Sequence, residues 1–157
     1  PASFYRLDRP RLGPGGVAVH WLQLYRIGAG EFAGILSAVR DAMGRVQVFH
    51  PPRTGEVILI GGGEPVPRST WIDRWAAPAL EPCLRRIPSL TAPPVPLLDE
   101  DGVSRWLARF PHRADRLRER LEFTLPLLGE RGEDHSGEIL RSLEDAAHRP
   151  ARDRRGD

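Results

Sequence analysis

Three consecutive glycines followed by polar residues form the first pattern in this chain that could bind a ligand. The glycines follow an apolar segment, 57–60, and precede a predicted helix start. Free backbone N–H groups at a helix start bind phosphate well. The spacing matches neither the dinucleotide-binding nor the P-loop pattern, and two prolines, at 65 and 67, remove amide donors. A tight turn before a capped helix is therefore the favoured alternative to a phosphate or nucleotide site at Gly61, Gly62, Gly63, Arg68, Ser69 and Thr70.

Five arginines recur at helical spacing and could contact nucleic acid: Arg105, Arg109, Arg113, Arg116 and Arg120. On continuous helices their guanidinium groups share one face, which is how many proteins contact phosphate backbones. Pro111 interrupts that continuity, carboxylates interleave with the arginines, and an acidic segment follows at residues 130–145. We expect the basic and acidic segments to pair with each other or to be solvated. Nucleic acid is a possible but not a favoured partner.

No residues have the spacing of a catalytic or metal site. His135 lies among three carboxylates in the segment 133–138, for which a solvated loop and helix cap explains the pattern better than a metal or acid–base site. His20 and His50 fall on predicted strands and could share a pocket, but bonds to the backbone are favoured. The lone cysteine, Cys83, excludes an internal disulfide and a cysteine-based zinc cluster. The sequence therefore predicts no catalytic residue, no cofactor and no metal.

Three tryptophans are candidate anchors for a protein partner: Trp71, Trp75 and Trp106. Aromatic residues dominate binding hot spots, although they are also common in cores, and a core role is the favoured alternative. The first two belong to a predicted helix whose apolar residues, between positions 71 and 87, cover roughly twice the sector of an ordinary surface helix. We expect this helix, which follows the strand 57–60, to lie at the centre of the core, covered by the C-terminal helices or by another chain. Pro78 and Pro82 should kink or break it.

Alternation and helical periodicity predict the elements around that segment. Ser3–Leu7 is a possible edge strand, and Val17–Ile27 is the longest strand candidate, apolar on both faces and hence expected to be central. Arg45–His50 and Glu56–Ile60 read as a hairpin around a loop rich in proline. Helices are predicted from Phe32 to a stop at Gly44, at 102–110 with Asp99 or Asp101 as cap, at 114–128, and at 136–148.

This order, ββαββα, predicts an α+β fold: a small, mainly antiparallel sheet of about four strands with helices on one face, followed by a C-terminal helical extension. We divide the chain into an α+β core (1–88), a proline-rich linker (89–96), a helical extension packed on the core (97–150) and a mobile tail (151–157). The length of 157 residues favours one domain.

Composition narrows the class of protein. No apolar run approaches the ~20 residues of a membrane helix, and the start of the chain lacks a signal-peptide pattern. All 23 cationic side chains are arginine, which is weak evidence for RNA binding because a GC-rich coding bias explains it, and the net charge of +2 is unremarkable. We predict a cytoplasmic, non-enzymatic accessory or interaction protein, a subunit or adaptor in an assembly or a homo-oligomer. A small-molecule or nucleotide-binding domain using Gly61–Thr70 and a nucleic-acid-binding protein using Arg105–Arg120 are the alternatives.

Overall fold

The computed structural model describes residues 2–25, 27–52, 54–64, 68–79, 81–84, 96–110 and 134–148. The strands in these ranges are β1 (Val17–Gln23), β2 (Val46–Phe49), β3 (Glu56–Gly62) and β4 (Pro96–Leu98). The helices are α1 (Ala2–Asp8), α2 (Ala29–Met43), α3 (Arg68–Trp75), α4 (Glu81–Leu84), α5 (Glu100–Leu107) and α6 (Ser136–His148), and a short 3-10 helix, Arg9–Arg11, follows α1. None of these helices combines the length and the apolar character that a membrane span requires.

The four strands form one antiparallel sheet in the order β1-β3-β2-β4. β3 is an interior strand: Leu59 pairs with His20 on one side and with Val48 on the other. Val57 and Leu59 are fully buried, as expected for the middle of a sheet. The predicted α+β class, with a mainly antiparallel sheet of four strands, helices on one face and a C-terminal helix, is confirmed.

Helix α2 covers the buried face of the sheet. On its apolar face, Phe32, Leu36 and Val39 are each at most 1% exposed. The helix approaches β3 most closely at Gly61, where a Cβ atom would lie 3.0 Å from side-chain atoms of Val39 and Met43. The predicted stop at Gly44 is confirmed, because this residue has a φ of +83°, a conformation that glycine adopts without strain.

Helices α5 and α6 complete the same core. Trp106 is fully buried, its ring edge-on to Phe32 at a centroid distance of 5.3 Å, and its indole N–H donates to the Ser142 hydroxyl at 3.0 Å. The predicted cap of α5 is confirmed, since an Asp99 carboxylate oxygen accepts the Gly102 amide at 2.8 Å. The predicted helix at 114–128 lies outside the described residues, as do most of the linker and the tail.

Two predictions about the sheet are wrong. Residues Ser3–Leu7 lie in helix α1, and the fourth strand is instead β4, which begins at Pro96, the last residue of the predicted linker. Strand β1 is at an edge, although its two apolar faces predicted a central position. Apolar residues on both faces are typical of a buried strand, but here the residues on one face of β1 are exposed, as described below.

The helix after β3 is not at the centre of the core. It ends as α3 at Trp75, a turn follows around Pro78, and a short α4 comes next. The predicted break of the helix at Pro78 is therefore confirmed, since proline lacks an amide donor. Pro82, the other predicted break, lies within α4. Ile72 is 42% exposed, Ala79 is exposed and Trp75 is half-buried. The side chains of Trp71 and Cys83 lie outside the described set. Among the residues described, the core is built by α2, the sheet, α5 and α6 instead.

Candidate functional site

The largest exposed apolar residues on the sheet belong to strand β1. Val17 is 44% exposed, Val19 is 64% exposed and Trp21 is 53% exposed. The alternating residues Ala18 and Leu22 point the other way and pack against the core. One face of β1 is therefore an apolar strip open to solvent, which we call the β1 strip: Val17, Val19 and Trp21. Contiguous exposed apolar residues of this kind mark interaction surfaces more often than isolated ones do.

Exposure on this face decreases from β1 towards the middle of the sheet. Ile60 and Ile58, which lie opposite Val19 and Trp21 on β3, are half-buried. Phe49, opposite Ile58 on β2, is only 5% exposed. The uncovered part of the face is thus confined to the β1 side. There the indole N–H of Trp21 donates to a Glu56 carboxylate oxygen at 3.2 Å, which restrains the ring against the sheet.

The backbone of β1 offers a free edge along the same residues. The Leu24 amide donates to the Gly55 carbonyl at 2.8 Å, which continues the β1–β3 register and places even-numbered β1 residues in the hydrogen-bonded pairs. The bond from the Gly62 amide to the Arg45 carbonyl, at 3.0 Å on the other side of β3, agrees with this alternation. The N–H and C=O groups of residues 17, 19, 21 and 23 therefore point away from β3. Among the described residues, no strand pairs with that edge.

Strand β1 lacks the features that usually prevent an edge from pairing. Edge strands commonly carry charged residues, prolines or bulges. The seven residues of β1, VAVHWLQ, contain neither a proline nor an Asp, Glu or Arg, and their register with β3 is regular throughout. The absence of charge in β1 is visible in the sequence. Without the strand order, however, its two apolar faces predicted a central strand and not an open edge.

The buried side of β1 is fixed to α1 by a polar pair. The Tyr5 hydroxyl and Nδ1 of His20 are 2.9 Å apart, in hydrogen-bond contact, and their rings are tilted at 5.5 Å between centroids. Burial raises the pKa of Tyr5 to about 12 and lowers the pKa of His20 below its ordinary value. Both side chains are therefore neutral at pH 7, and the pair holds the helix beneath the strand without placing a charge there.

The predicted glycine site contributes to a shallow pocket of about 440 Å³ at one end of the sheet. Gly62 and Gly63, both with positive φ, line it together with Arg9 and Arg45. Both guanidinium groups are already engaged: that of Arg9 donates to the Ala42 carbonyl at 3.1 Å, and that of Arg45 lies 2.7 Å from a Glu64 carboxylate oxygen. A carboxylate inside the pocket opposes the binding of an anion.

Of the other residues of that predicted site, Gly61, Ser69 and Thr70 do not line this pocket. Gly61 is buried against α2, where its lack of a side chain permits the close approach. Ser69 is exposed and Thr70 half-buried in the first turn of α3, and the side chain of Arg68 lies outside the described set.

The predicted interface and nucleic-acid residues are mostly buried or bound to neighbouring groups, where the structure describes them. Trp106 belongs to the core and leaves no accessible surface for a partner, whereas Trp75 is half-buried on α3. Arg105 on α5 and Arg109, two residues after the end of that helix, donate to the carbonyls of Ala146 and Ser142 on α6, at 3.4 and 3.2 Å, so their guanidinium groups bind the neighbouring helix. The other three arginines, Arg113, Arg116 and Arg120, lie outside the described residues.

The histidines singled out in the sequence, His20, His50 and His135, have structural partners. Nε2 of His50 is 2.9 Å from the Thr54 carbonyl, which is the expected contact with the backbone. His20 contacts Tyr5 instead of sharing a pocket with His50. Nδ1 of His135 is 3.7 Å from a Glu138 carboxylate oxygen. Within the described ranges, no three His, Cys, Asp or Glu side chains are grouped so that they could hold a metal ion.

Comparisons with protein families, with curated proteins and with solved structures found no match to this chain.

Proposed function

We propose that this chain is a non-enzymatic interaction protein, a subunit or adaptor of a cytoplasmic assembly, and that it binds a protein partner along the edge of β1. One observation carries the proposal: residues 17, 19, 21 and 23 combine outward backbone groups with an exposed, mainly apolar face. The single cysteine, which can form no disulfide within the chain, is compatible with a reducing compartment.

Strand addition explains how both features would be used. An extended segment laid along β1 would donate to and accept from the outward backbone groups, and its alternate side chains would cover the β1 strip. Because β1 carries no Asp, Glu or Arg, recognition would depend on main-chain hydrogen bonds and apolar contact. We therefore expect the bound segment to be extended, with apolar residues at every second position.

Selection of peptides from a random display library tests this function. We expect extended peptides with alternating apolar residues to bind the wild-type chain and to bind the Val19→Lys variant at least about tenfold more weakly, since lysine on the strip disrupts apolar contact and blocks edges. Ile72→Lys is the matched control, because it introduces the same charge at an exposed apolar residue of α3. Peptides that bind all three proteins equally, or the absence of any selected peptide, would contradict the proposal.

Binding of a small anion in the glycine-lined pocket is the second candidate function. The supporting observation is that two predicted glycines, Gly62 and Gly63, lie beside the guanidinium groups of Arg9 and Arg45. Glu64 must then release Arg45 for the ligand. Calorimetric titration with inorganic phosphate and with a nucleoside triphosphate tests it, and no heat of binding at millimolar ligand would exclude the pocket as a phosphate site.

A further inference from the structure

We propose that the partner at the β1 edge is a second copy of this chain, with the two β1 strands antiparallel about a two-fold axis, so that the two sheets join into one of eight strands. This inference rests on the proposed function and narrows it to self-association. Two-fold dimers are the commonest symmetric assemblies, and their interfaces use the same patch on both copies.

The positions of the outward groups fit such pairing. An axis passing beside His20, the middle residue of β1, brings all seven residues into register and places Val19 opposite the partner's Trp21. Odd-numbered residues then face odd-numbered residues, and these are the ones whose N–H and C=O groups point outward. Facing residues in an antiparallel pair share one side of the sheet. The two β1 strips therefore meet as one continuous apolar surface.

Charge favours a second copy. A two-fold axis brings the strand against an identical copy, so an edge strand that carries a net charge meets the same charge on its partner and is repelled. Asp, Glu and Arg make up 28% of this chain, yet β1 contains none of them. The strand is thus neutral along the length over which two copies would pair.

The available area predicts a weak dimer. About half of a tryptophan and about half of two valines amount to roughly 300 Å² of exposed side chain on each copy, taking ~200 Å² as the burial of a whole aromatic residue. Two copies together stay below the ~1,200 Å² typical of stable interfaces. We therefore expect a reversible monomer–dimer equilibrium at micromolar to millimolar concentration.

Sedimentation velocity of the full chain, from about 1 µM to about 1 mM, tests the inference. Wild type should shift from monomer to dimer with concentration. Val19→Pro should raise the dissociation constant about tenfold or more, because proline removes an outward donor from each copy while the ladder to β3 keeps its bonds. Val19→Thr, which retains the amide and the β-branched shape, should dimerise as wild type does.

Three outcomes would overturn the inference. A strict monomer over the whole range excludes the second copy, while peptide binding, measured separately, would still support the proposed function. A dimer that persists equally in Val19→Pro excludes β1 as its interface. If Val19→Pro fails to fold by circular dichroism, Val19→Lys replaces it, and unchanged dimerisation of that variant would be equally contradictory.

Discussion

Replacing Gly61 by alanine tests which face of the sheet is covered. The added methyl group would lie 3.0 Å from Met43 Cγ and 3.0 Å from Val39 Cγ1, and 3.1 Å from Met43 Cβ. Carbon atoms in contact normally lie ~3.5–4.0 Å apart, so helix α2 or the strand must move by about half an ångström. Overpacking of this kind costs about 1–3 kcal/mol, and the lower entropy of the unfolded alanine chain offsets about 0.4–1 kcal/mol of it. From the middle of each range, we expect a net loss of about 1.3 kcal/mol in the free energy of unfolding.

Urea unfolding monitored by circular dichroism measures this loss. Gly137→Ala is the matched control, because a methyl group there would lie 3.9 Å from the nearest neighbour, Arg141 Nη1, in the first turn of α6. Its stability should be unchanged or raised by up to ~1 kcal/mol. Met43→Ala should make Gly61→Ala less costly in the double variant, since Met43 Cγ, one of the two closest atoms, is removed. If Gly61→Ala is as stable as wild type, Gly61 does not face α2, and the assignment of the open face is wrong.

Two further predictions concern polar contacts of the fold. Because the pKa of His20 is lowered in the folded chain, the unfolded chain binds a proton on this residue first as the pH falls below about 6.5. The free energy of unfolding should therefore decrease with acidification, and it should decrease less in His20→Gln. Equal pH slopes for the two proteins in urea unfolding would refute a neutral His20 in the folded chain. Asp99→Ala should lower the free energy of unfolding by about 1 kcal/mol, because the cap on the Gly102 amide is lost. Asp101→Ala, at an exposed position in the first turn of α5, should lower it less. Equal losses would show that the cap contributes nothing.

Local patterns were sufficient to predict most of the regular elements. The i, i+3, i+4 spacing located α2, α5 and α6, and the stop at Gly44 and the cap at Asp99 follow from residue chemistry that acts over one helical turn. The strands β1, β2 and β3 were found because β-branched and aromatic residues are concentrated in them. These signals need no knowledge of the tertiary structure.

The position of each element in the fold could not be predicted in the same way. Segment Ser3–Leu7 is too short for alternation and helical periodicity to be distinguished. It was predicted to be a strand, and the structure has helix α1 there. The break near Pro78 was predictable from the missing amide donor of proline, but the central position of residues 71–87 was inferred from apolar composition, which does not show whether a helix face packs against the core. Strand order depends on pairing between distant segments, so the edge position of β1, and with it the candidate site, became visible only in the structure.

The central claim is that the outer edge of β1 is open in the monomer, and amide hydrogen exchange at low protein concentration, resolved by NMR, measures this directly. We predict rapid exchange at Val19 and Trp21, whose amides point away from β3, and protection at His20 and Leu22, whose amides lie in hydrogen-bonded pairs with it. Equal protection of all four amides in the dilute monomer would show that the chain covers its own edge, which would contradict the proposed binding site.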